Sequence, residues 1–303
     1  MSPIKIEFLS KSYRGKKRTH VNALQGLTLE IAPGEVVGFL GPNGAGKSTT
    51  IKILMGQIRP DSGNANIFGI PVDEFKSRER VGYLPENPSF YDFLTAREYL
   101  DLVGRTFGMS AEAIRQKSEH VLDLLSLKQA ANRPIRGYSK GMVQRLGIAQ
   151  TLLHDPEVFI LDEPMSGLDP LGRALVKEIM ADLKKQGKTI FFSTHVTADV
   201  EAVCDRVAVI VGGKLCSENV VQDLLQAGIE GYTVHIEARD INVFKDYELM
   251  AGRDGLFEVY VPRAQFDGFM ASLVREGAKV HLIEPRRNNL EAYFLDIVNR
   301  GVS

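Results

Sequence analysis

A glycine-rich segment contains the first residues whose types and spacing suit a chemical task. It follows the pattern Gly-x-x-x-x-Gly-Lys-Ser through Gly41, Pro42, Asn43, Gly44, Ala45, Gly46, Lys47 and Ser48. Glycines allow backbone N–H groups to close around phosphate oxygens, and a following helix adds the positive end of its dipole. Lys47 can then reach the β- and γ-phosphates, while the Ser48 hydroxyl can ligate Mg²⁺. The segment, extended to Thr49, therefore predicts a site for a nucleotide and its metal ion.

The residues on either side of this segment support the same interpretation. The apolar run Val36–Leu40 predicts a buried strand, and Ser48–Met55 predicts a helix that starts inside the motif. A glycine turn that fits the pattern by chance is the alternative, and it would not require a strand before it and a helix after it. The context therefore favours a phosphate-binding loop.

Two acidic residues end a second apolar run. Val158–Leu161 predicts a buried strand, and Asp162 and Glu163 follow it directly. Solvated acids at an ordinary strand end are the alternative. In parallel sheets, however, ligands lie beyond the carboxyl ends of the strands, where the phosphate-binding loop is also expected. Nucleotide hydrolysis requires one carboxylate that holds Mg²⁺ and one that orients water, which predicts the first role for Asp162 and the second for Glu163.

The hydrophobic pattern divides the rest of the chain into segments that must position these residues. Short strands with turns are predicted from residue 4 to about residue 68, and helices from residue 95 to about residue 153. Between residues 158 and 211 predicted strands alternate with helices, which indicates a parallel sheet covered by helices. We therefore expect an α/β domain at 1–227, with a helical part at about 90–156, and a small α+β accessory domain at 228–303.

Composition and charge exclude several classes of protein. The 303 residues include 37 Lys and Arg against 38 Asp and Glu, and a net charge of −1 argues against a protein that coats nucleic acid. Two cysteines, Cys204 and Cys216, cannot form a disulfide framework and suit a reducing cytosol. The N-terminus lacks the apolar segment of a signal peptide, and no run approaches 18 apolar residues. We therefore expect a cytosolic chain that does not span a bilayer.

Further motifs make a family resemblance specific. Tyr138–Leu146 reads Y-S-K-G-M-V-Q-R-L, Ser166–Asp169 reads S-G-L-D, and Phe192–His195 reads F-S-T-H. With Tyr13 before Val21-Asn-Ala-Leu, the phosphate-binding loop and the two carboxylates, they resemble in type and order the motifs of ABC-type ATPases. The resemblance extends over about residues 4–215. It implies an α/β fold, with a P-loop ABC-type ATPase core that has an antiparallel β subdomain and a helical subdomain, plus the small C-terminal α+β appendage.

The resemblance also implies roles for individual side chains. Tyr13 would stack on adenine, with Val21 beside it. His195 would act as the switch histidine, and Lys47 would assist catalysis. In this family the signature motif contacts the nucleotide of the opposite subunit, so Ser139 and Gly141 are expected to touch the γ-phosphate that the partner binds. Asp169 ends the segment that resembles the family's D-loop and is expected to take part in nucleotide binding. The resemblance thus implies ATP and Mg²⁺ as cofactors and a dimer that encloses two ATP molecules.

Two motifs depart from the family pattern. The signature motif has Lys140 and Met142 where a glycine and a glutamine are usual. Glu86, at the end of Val81-Gly-Tyr-Leu-Pro-Glu, stands where the family has a glutamine. A carboxylate there can still serve as a Mg²⁺ ligand, although it adds negative charge near a phosphate. The same Y-L-P-E and S-K-G-M segments resemble the ATP-binding subunits of bacterial type-2 ABC exporters.

These features predict an ATP-hydrolysing subunit that drives a separate membrane permease, in the direction of export. The chain has one nucleotide domain, so a second copy is expected as its dimer partner, although a heterodimer stays open. We expect the dimer on the cytoplasmic face of the membrane, with no nucleic acid bound. A soluble ABC-type ATPase that acts on ribosomes or DNA is the main alternative, but such proteins usually carry two nucleotide domains or a long coiled coil. A phosphate-loop kinase would explain neither Ser139 nor His195.

Overall fold

Strands and helices alternate along most of the chain. The computed structural model describes residues 2–14, 20–238, 241–251, 256–287 and 290–301. Within these ranges the strands are β1 (Ile4–Arg14), β2 (His20–Ile31), β3 (Val36–Leu40), β4 (Ser62–Ile67), β5 (Ile70–Pro71), β6 (Val81–Leu84), β7 (Val158–Asp162), β8 (Thr189–Thr194), β9 (Arg206–Val211), β10 (Lys214–Val220), β11 (Ile229–Glu237), β12 (Glu248–Ala251), β13 (Phe257–Pro262) and β14 (Lys279–Arg287). The helices are α1 (Lys47–Leu54), α2 (Ala96–Thr106), α3 (Ala111–Leu124), α4 (Lys140–Leu152), α5 (Pro170–Lys185), α6 (Thr197–Val203), α7 (Val221–Ala227), α8 (Phe266–Glu276) and α9 (Leu290–Gly301).

A six-stranded sheet lies at the centre of the first part of the chain, in the order β10-β9-β3-β8-β7-β6. The strands from β9 to β6 are parallel, and β10 pairs with β9 in the antiparallel direction at one edge. Leu40 of β3 lies opposite Thr194 of β8, and Ser193 of β8 lies opposite Asp162 of β7. The carboxyl ends of β3, β8 and β7 are therefore level at one edge. The predicted parallel sheet is confirmed.

Both faces of this sheet are buried, which explains the continuous apolar runs in its strands. In β7, Val158 and Ile160 belong to one hydrophobic core, while Phe159 and Leu161 belong to another. Side chains alternate between the two faces of a strand, so a strand covered on both sides has no polar face. Helices α2 to α5 supply the core around Phe159, and α1 with β1, β2 and β4 supplies the core around Val158.

The antiparallel and helical subdomains flank the central sheet as predicted. The antiparallel sheet has the order β2-β1-β4-β5. The helical subdomain contains α2, α3 and α4, and each of them begins at a hydroxyl side chain. Thr95, Ser110 and Ser139 each accept a hydrogen bond from the backbone N–H three residues ahead, which satisfies donors that the first turn of a helix leaves without partners.

The chain forms two compact units. One comprises the residues up to Val221 together with the chain from Ile297 onward, and the other comprises Gln222–Asp296. In the second unit an antiparallel sheet has the order β12-β13-β11-β14, and Phe269 of α8 shares a buried core with Val234 of β11. This α+β composition agrees with the predicted appendage. The assignment of 1–227 and 228–303 as separate domains stays a prediction.

Several elements have no counterpart in the sequence prediction. β6 has only four residues and includes Gly82, while β10 is a mostly polar strand without a buried face. Both form because their backbones pair with a neighbour, β6 with β7 and β10 with β9. Such strands depend on tertiary pairing and give little periodic signal. None of the helices in the described ranges combines the length and the apolar composition that crossing a membrane demands.

His154 joins the helical subdomain to the central sheet just after α4. Its ring stacks on Phe107 with 3.7 Å between the ring centroids, and its Nε2 lies 3.1 Å from the carbonyl oxygen of Val81. A carbonyl only accepts hydrogen bonds, so Nε2 carries a proton and donates it. Burial lowers the pKa of His154, because the charged ring would lose its solvation at this position.

The lowered pKa of His154 predicts a pH-dependent stability. Below about pH 6.5, the ordinary histidine pKa, the unfolded chain binds a proton at this residue that the folded chain does not bind. The free energy of unfolding should therefore fall as the pH drops through this value. The variant His154→Gln keeps an N–H donor but does not titrate, so its stability should depend less on pH. Urea unfolding of both proteins at about pH 7.5 and about pH 5.5 measures the difference, and an equal pH dependence would contradict it.

Candidate nucleotide-binding site

The glycine-rich segment forms the turn between β3 and α1. Gly46 has a φ of 112°, and a Cβ atom there would lie 2.5 Å from the carbonyl oxygen of Ala23, so only glycine fits. α1 begins directly after Gly46, without a side-chain cap and without an acidic residue in its first turn. The first N–H groups of the helix are therefore available to an anion in the loop.

Lys47 points back into this loop. Its side chain is only 6% exposed, and its Nζ donates to the carbonyl oxygens of Gly41 and Pro42 at 2.6 and 3.3 Å. The Nζ atom also lies 3.6 Å from a carboxylate oxygen of Glu163, which balances its charge. The ammonium group is thus held where the loop would surround a phosphate.

Asp162 and Ser48 bring two oxygen ligands together beside the loop. The Ser48 hydroxyl donates to Asp162 Oδ1 at 3.3 Å, and the buried Ser193 hydroxyl donates to the same oxygen at 2.5 Å. Mg²⁺ is commonly held by one or two protein carboxylates, with phosphates and waters as its other ligands. The donor set therefore fits a magnesium ion that is shared with a nucleotide.

Glu163 adopts a strained backbone conformation that its neighbours hold in place. Its φ of 50° lies in the left-handed region, which costs a non-glycine residue about 1–3 kcal/mol. The Glu163 N–H donates to Ser193 Oγ at 3.0 Å. The Gln144 side-chain amide donates to the carbonyl oxygens of Glu163 and Pro164 at 3.3 and 3.0 Å. These contacts fix the direction in which the Glu163 carboxylate points.

His195 also contacts the Glu163 carboxylate. Its Nδ1 lies 3.0 and 3.1 Å from the two carboxylate oxygens. A carboxylate accepts hydrogen bonds, so Nδ1 donates, and Nε2 on the far side of the ring is left for another partner. The His195 side chain is 54% exposed, so a ligand can reach it. Glu163 therefore stands between Lys47 and His195, where a carboxylate could orient water beside a terminal phosphate.

Tyr13 and Val21 form one surface on the arm made by β1 and β2. They lie directly opposite each other in the antiparallel ladder, so their side chains share a face. Tyr13 is 40% exposed and Val21 is 56% exposed. Residues 15–19 between the two strands lie outside the described residues. An exposed ring beside an exposed aliphatic side chain offers a stacking surface for a flat base.

Ser139, Gly141 and Asp169 gather where α4 and α5 begin. Ser139 caps α4, and Asp169 caps α5 by accepting from the Gly172 N–H at 2.8 Å. A Cβ atom at Gly141 would lie 3.7 Å from the Gly167 carbonyl oxygen, so the start of α4 adjoins the loop that leads to Asp169. Within the described ranges no hydrogen bond or ion pair joins these three residues to the phosphate-binding loop.

Glu86 lies in the exposed turn after β6, next to the strand that carries Asp162. Among the described residues it makes no polar contact with Ser48 or Asp162. The structure therefore brings Glu86 to the correct edge of the sheet but not into the cluster around Asp162. Its expected role as a metal ligand stays a prediction.

Two residues of the site are not singled out by the sequence motifs that contain them. Ser193 is fully buried within the F-S-T-H motif, and Gln144 is 4% exposed within the signature motif. The sequence signal for a role was a polar residue among apolar neighbours, because a buried polar group must find a hydrogen-bond partner. The partners themselves, around Glu163, become visible only in the folded chain.

Comparison with known proteins identifies the family. The family model described as ABC transporter matches residues 24–166. An uncharacterized ABC transporter ATP-binding protein of Synechocystis sp. is 41% identical over 302 residues, which cover 97% of this chain and 84% of the relative. The chain belongs to the ABC transporter family. It resembles the ATP-binding members of this family over almost its whole length, including the second compact unit.

Two other ABC proteins extend the comparison. The Nod factor export ATP-binding protein I of Ralstonia nicotianae is 35% identical, over 78% of this chain and 73% of the relative. A dimeric ATP-binding cassette in a post-hydrolysis state, bound to ADP and phosphate, matches with a TM-score of 0.67 and 25% identity, over 72% of this chain and 98% of that one. The predicted ABC core is confirmed, and the chain is an ATP-binding ATPase.

Ser193, to which the sequence motifs assign no role, provides a further test of the site. Ser193→Ala removes the acceptor of the Glu163 N–H and a donor to Asp162. ATP turnover should fall about tenfold or more, because each buried group left without a hydrogen-bond partner costs about 1–3 kcal/mol. Steady-state phosphate release measures the effect. Thr151→Ala is the matched control, since it removes another buried hydroxyl, bonded to the Ile148 carbonyl in α4. Equal turnover in the two variants would contradict the role of Ser193.

Proposed function

We propose that this ABC ATPase dimerises around two ATP molecules and drives a separate membrane permease in the direction of export. The observation that carries the proposal is that the motifs form two groups of residues, with no hydrogen bond or ion pair between the two groups within the described ranges. We call the phosphate-binding loop and the carboxylates that it contacts the first surface. The second surface is the region where α4 and α5 begin, which carries Ser139, Gly141 and Asp169. Two copies can complete each other's sites, which a single chain cannot do for itself.

The first surface would bind most of the nucleotide. The adenine would stack on Tyr13 with Val21 beside it, and the phosphates would lie in the loop formed by Gly41, Pro42, Asn43, Gly44, Ala45, Gly46, Lys47, Ser48 and Thr49. Ser48, Asp162 and Glu86 would hold Mg²⁺, which supplies positive charge to the β- and γ-phosphates. This assignment uses the free N–H groups of α1 and the paired oxygens of Ser48 and Asp162.

Hydrolysis would depend on Glu163, His195 and Lys47. Glu163 would accept a hydrogen bond from the attacking water and turn its oxygen toward the γ-phosphate. His195 orients the Glu163 carboxylate through Nδ1 and would contact the γ-phosphate through Nε2. Lys47 would balance the charge that develops on the phosphate oxygens as the bond breaks. The strained backbone at Glu163 favours one direction for this carboxylate before ATP arrives.

The second surface would close the site of the partner. The Ser139 hydroxyl and the Gly141 N–H lie at the exposed start of α4, where they can meet the γ-phosphate bound by another subunit. Asp169 lies on the adjoining loop and would contact the partner across the interface. A second copy of this chain is the partner we propose, since a dimeric cassette bound to ADP and phosphate shares its fold.

The permease and the direction of transport rest on the relatives. A protein named for Nod factor export is 35% identical to this chain, and no helix of the described residues could cross a membrane. We therefore place the ATPase dimer on the cytoplasmic face of the membrane, bound to permease subunits, without nucleic acid. Purification of the tagged chain in mild detergent tests this proposal. A copurifying polytopic membrane protein would support it, while ribosomal proteins or DNA would favour the soluble alternative.

Lys47 is the residue whose loss should affect hydrolysis most directly. Lys47→Ala should lower ATP turnover by about 10²–10³, because a fixed counter-charge to the phosphates is lost from a buried site. Phosphate release at saturating ATP and Mg²⁺ measures the effect. Lys52→Ala is a suitable control, since Lys52 lies on the same helix but is exposed. If turnover of Lys47→Ala stays within a few-fold of the control, Lys47 does not have the proposed role.

A further inference from the structure

Asp61, in the turn before β4, makes several hydrogen bonds to β1, the strand that carries Tyr13. The Asp61 carboxylate accepts hydrogen bonds from the Ser12 N–H at 2.6 Å, from the Ser12 hydroxyl at 2.8 Å and from Lys11 Nζ at 2.7 Å. The Asp61 N–H donates to the carbonyl oxygen of Ser10 at 2.8 Å. One turn residue thus contacts three consecutive residues of β1, and the next residue along the strand is Tyr13.

These contacts occur at the point on β1 where its pairing with β4 ends. β4 pairs with β1 only as far as Ser10, which lies opposite Ser62, so the part of β1 beyond Ser10 pairs with β2 alone. The register of β1 against β2 also shifts between Leu9 and Lys11 and again between Lys11 and Ser12. A two-stranded ribbon is marginally stable in water. Asp61 therefore supplies the hydrogen bonds on the side of the arm that β4 leaves open.

We propose that Asp61 is the positioning residue for the adenine-stacking Tyr13. The proposal rests on the role of Tyr13 in the proposed function. By fixing Ser12 and Lys11, Asp61 sets the direction in which the arm leaves the sheet and hence the place of the ring. The same Lys11 ammonium lies 5.8 Å from the centroid of the Tyr13 ring, which adds a cation–π attraction that holds the ring near the arm.

The Asp61 contacts do not depend on pH in the working range of an ATPase. The hydrogen bonds from Lys11 and Ser12 lower the pKa of Asp61 to about 2, so the carboxylate is ionised throughout that range. The expected role is therefore constant positioning, not a switch.

The absence of tryptophan from the sequence makes a direct test possible. Tyr13→Trp introduces a single indole at the proposed stacking position, so its fluorescence should change when ATP and Mg²⁺ are added. Asp61→Asn in this background should weaken the ATP affinity read from this signal about three- to tenfold. Asp101→Asn is the matched control, because it breaks the exposed ion pair of Asp101 with Arg105 on α2 and should leave the titration unchanged.

Steady-state hydrolysis separates positioning from a general structural effect. Asp61→Asn should raise the KM for ATP about three- to tenfold with kcat unchanged, and it should have no further effect on KM in a Tyr13→Ala background. An equal rise in KM with and without Tyr13, a fall in kcat alone, or a Tyr13→Trp signal that Asp61→Asn leaves unchanged would each overturn the proposal. The proposed role of Tyr13 fails in a different way, namely if ATP leaves the Tyr13→Trp fluorescence unchanged and Tyr13→Ala leaves the KM for ATP unchanged.

Discussion

The level ends of three parallel strands are the constraint on which the site depends. Backbone hydrogen bonds hold β3, β8 and β7 side by side, so residues that are far apart in the sequence leave the sheet at one edge. The middle strand, β8, connects the two carboxylate residues, because its Ser193 hydroxyl contacts both Asp162 and the Glu163 N–H. Lys47 approaches Glu163 from the β3 side. A slip of β7 by one residue would turn Asp162 to the opposite face and dissolve the cluster.

The helix with the signature residues is fastened to the loop that follows β7. Gln144 bonds to the carbonyl of Glu163, and one helical turn earlier the side chain of Lys140 packs on Gly167, where a Cβ atom would lie 2.7 Å from Lys140 Cε. A glycine at position 140 could not make this contact. The departure from the family pattern thus has a structural effect, since α4, which Ser139 caps, contacts the loop after Asp162 through both Lys140 and Gln144.

Motifs and apolar runs predicted the parts of the structure that local sequence determines. The strand at Val36–Leu40 has the predicted limits, and the phosphate-binding loop and both carboxylates lie together as expected. These features depend on glycine geometry and on strands buried on both faces, which leave a clear pattern. The roles assigned to Ser139, Gly141 and Asp169 stay predictions, because they involve a second chain.

Contacts between distant segments could not be read from the sequence. Asp61 reaches Ser12 across 49 positions, Ser193 reaches Asp162 across 31, and Gln144 reaches Pro164 across 20. No local period marks such pairs, since each polar group obtains its partner only when the sheet order brings the segments together. The short strand β6 escapes prediction for the same reason, because its pairing with β7 defines it.

The shared-site account is tested most directly by trapping the dimer. Glu163→Gln keeps the size of the side chain but removes the carboxylate that would activate water, so ATP should persist between two copies and hold them together. Light scattering during size-exclusion chromatography should then give the mass of a dimer in ATP and Mg²⁺ and of a monomer without nucleotide. Adding Ser139→Arg should abolish the dimer by blocking the γ-phosphate contact. The account would be contradicted if Glu163→Gln bound ATP but two copies did not associate, either in the isolated protein or in the complex with the permease.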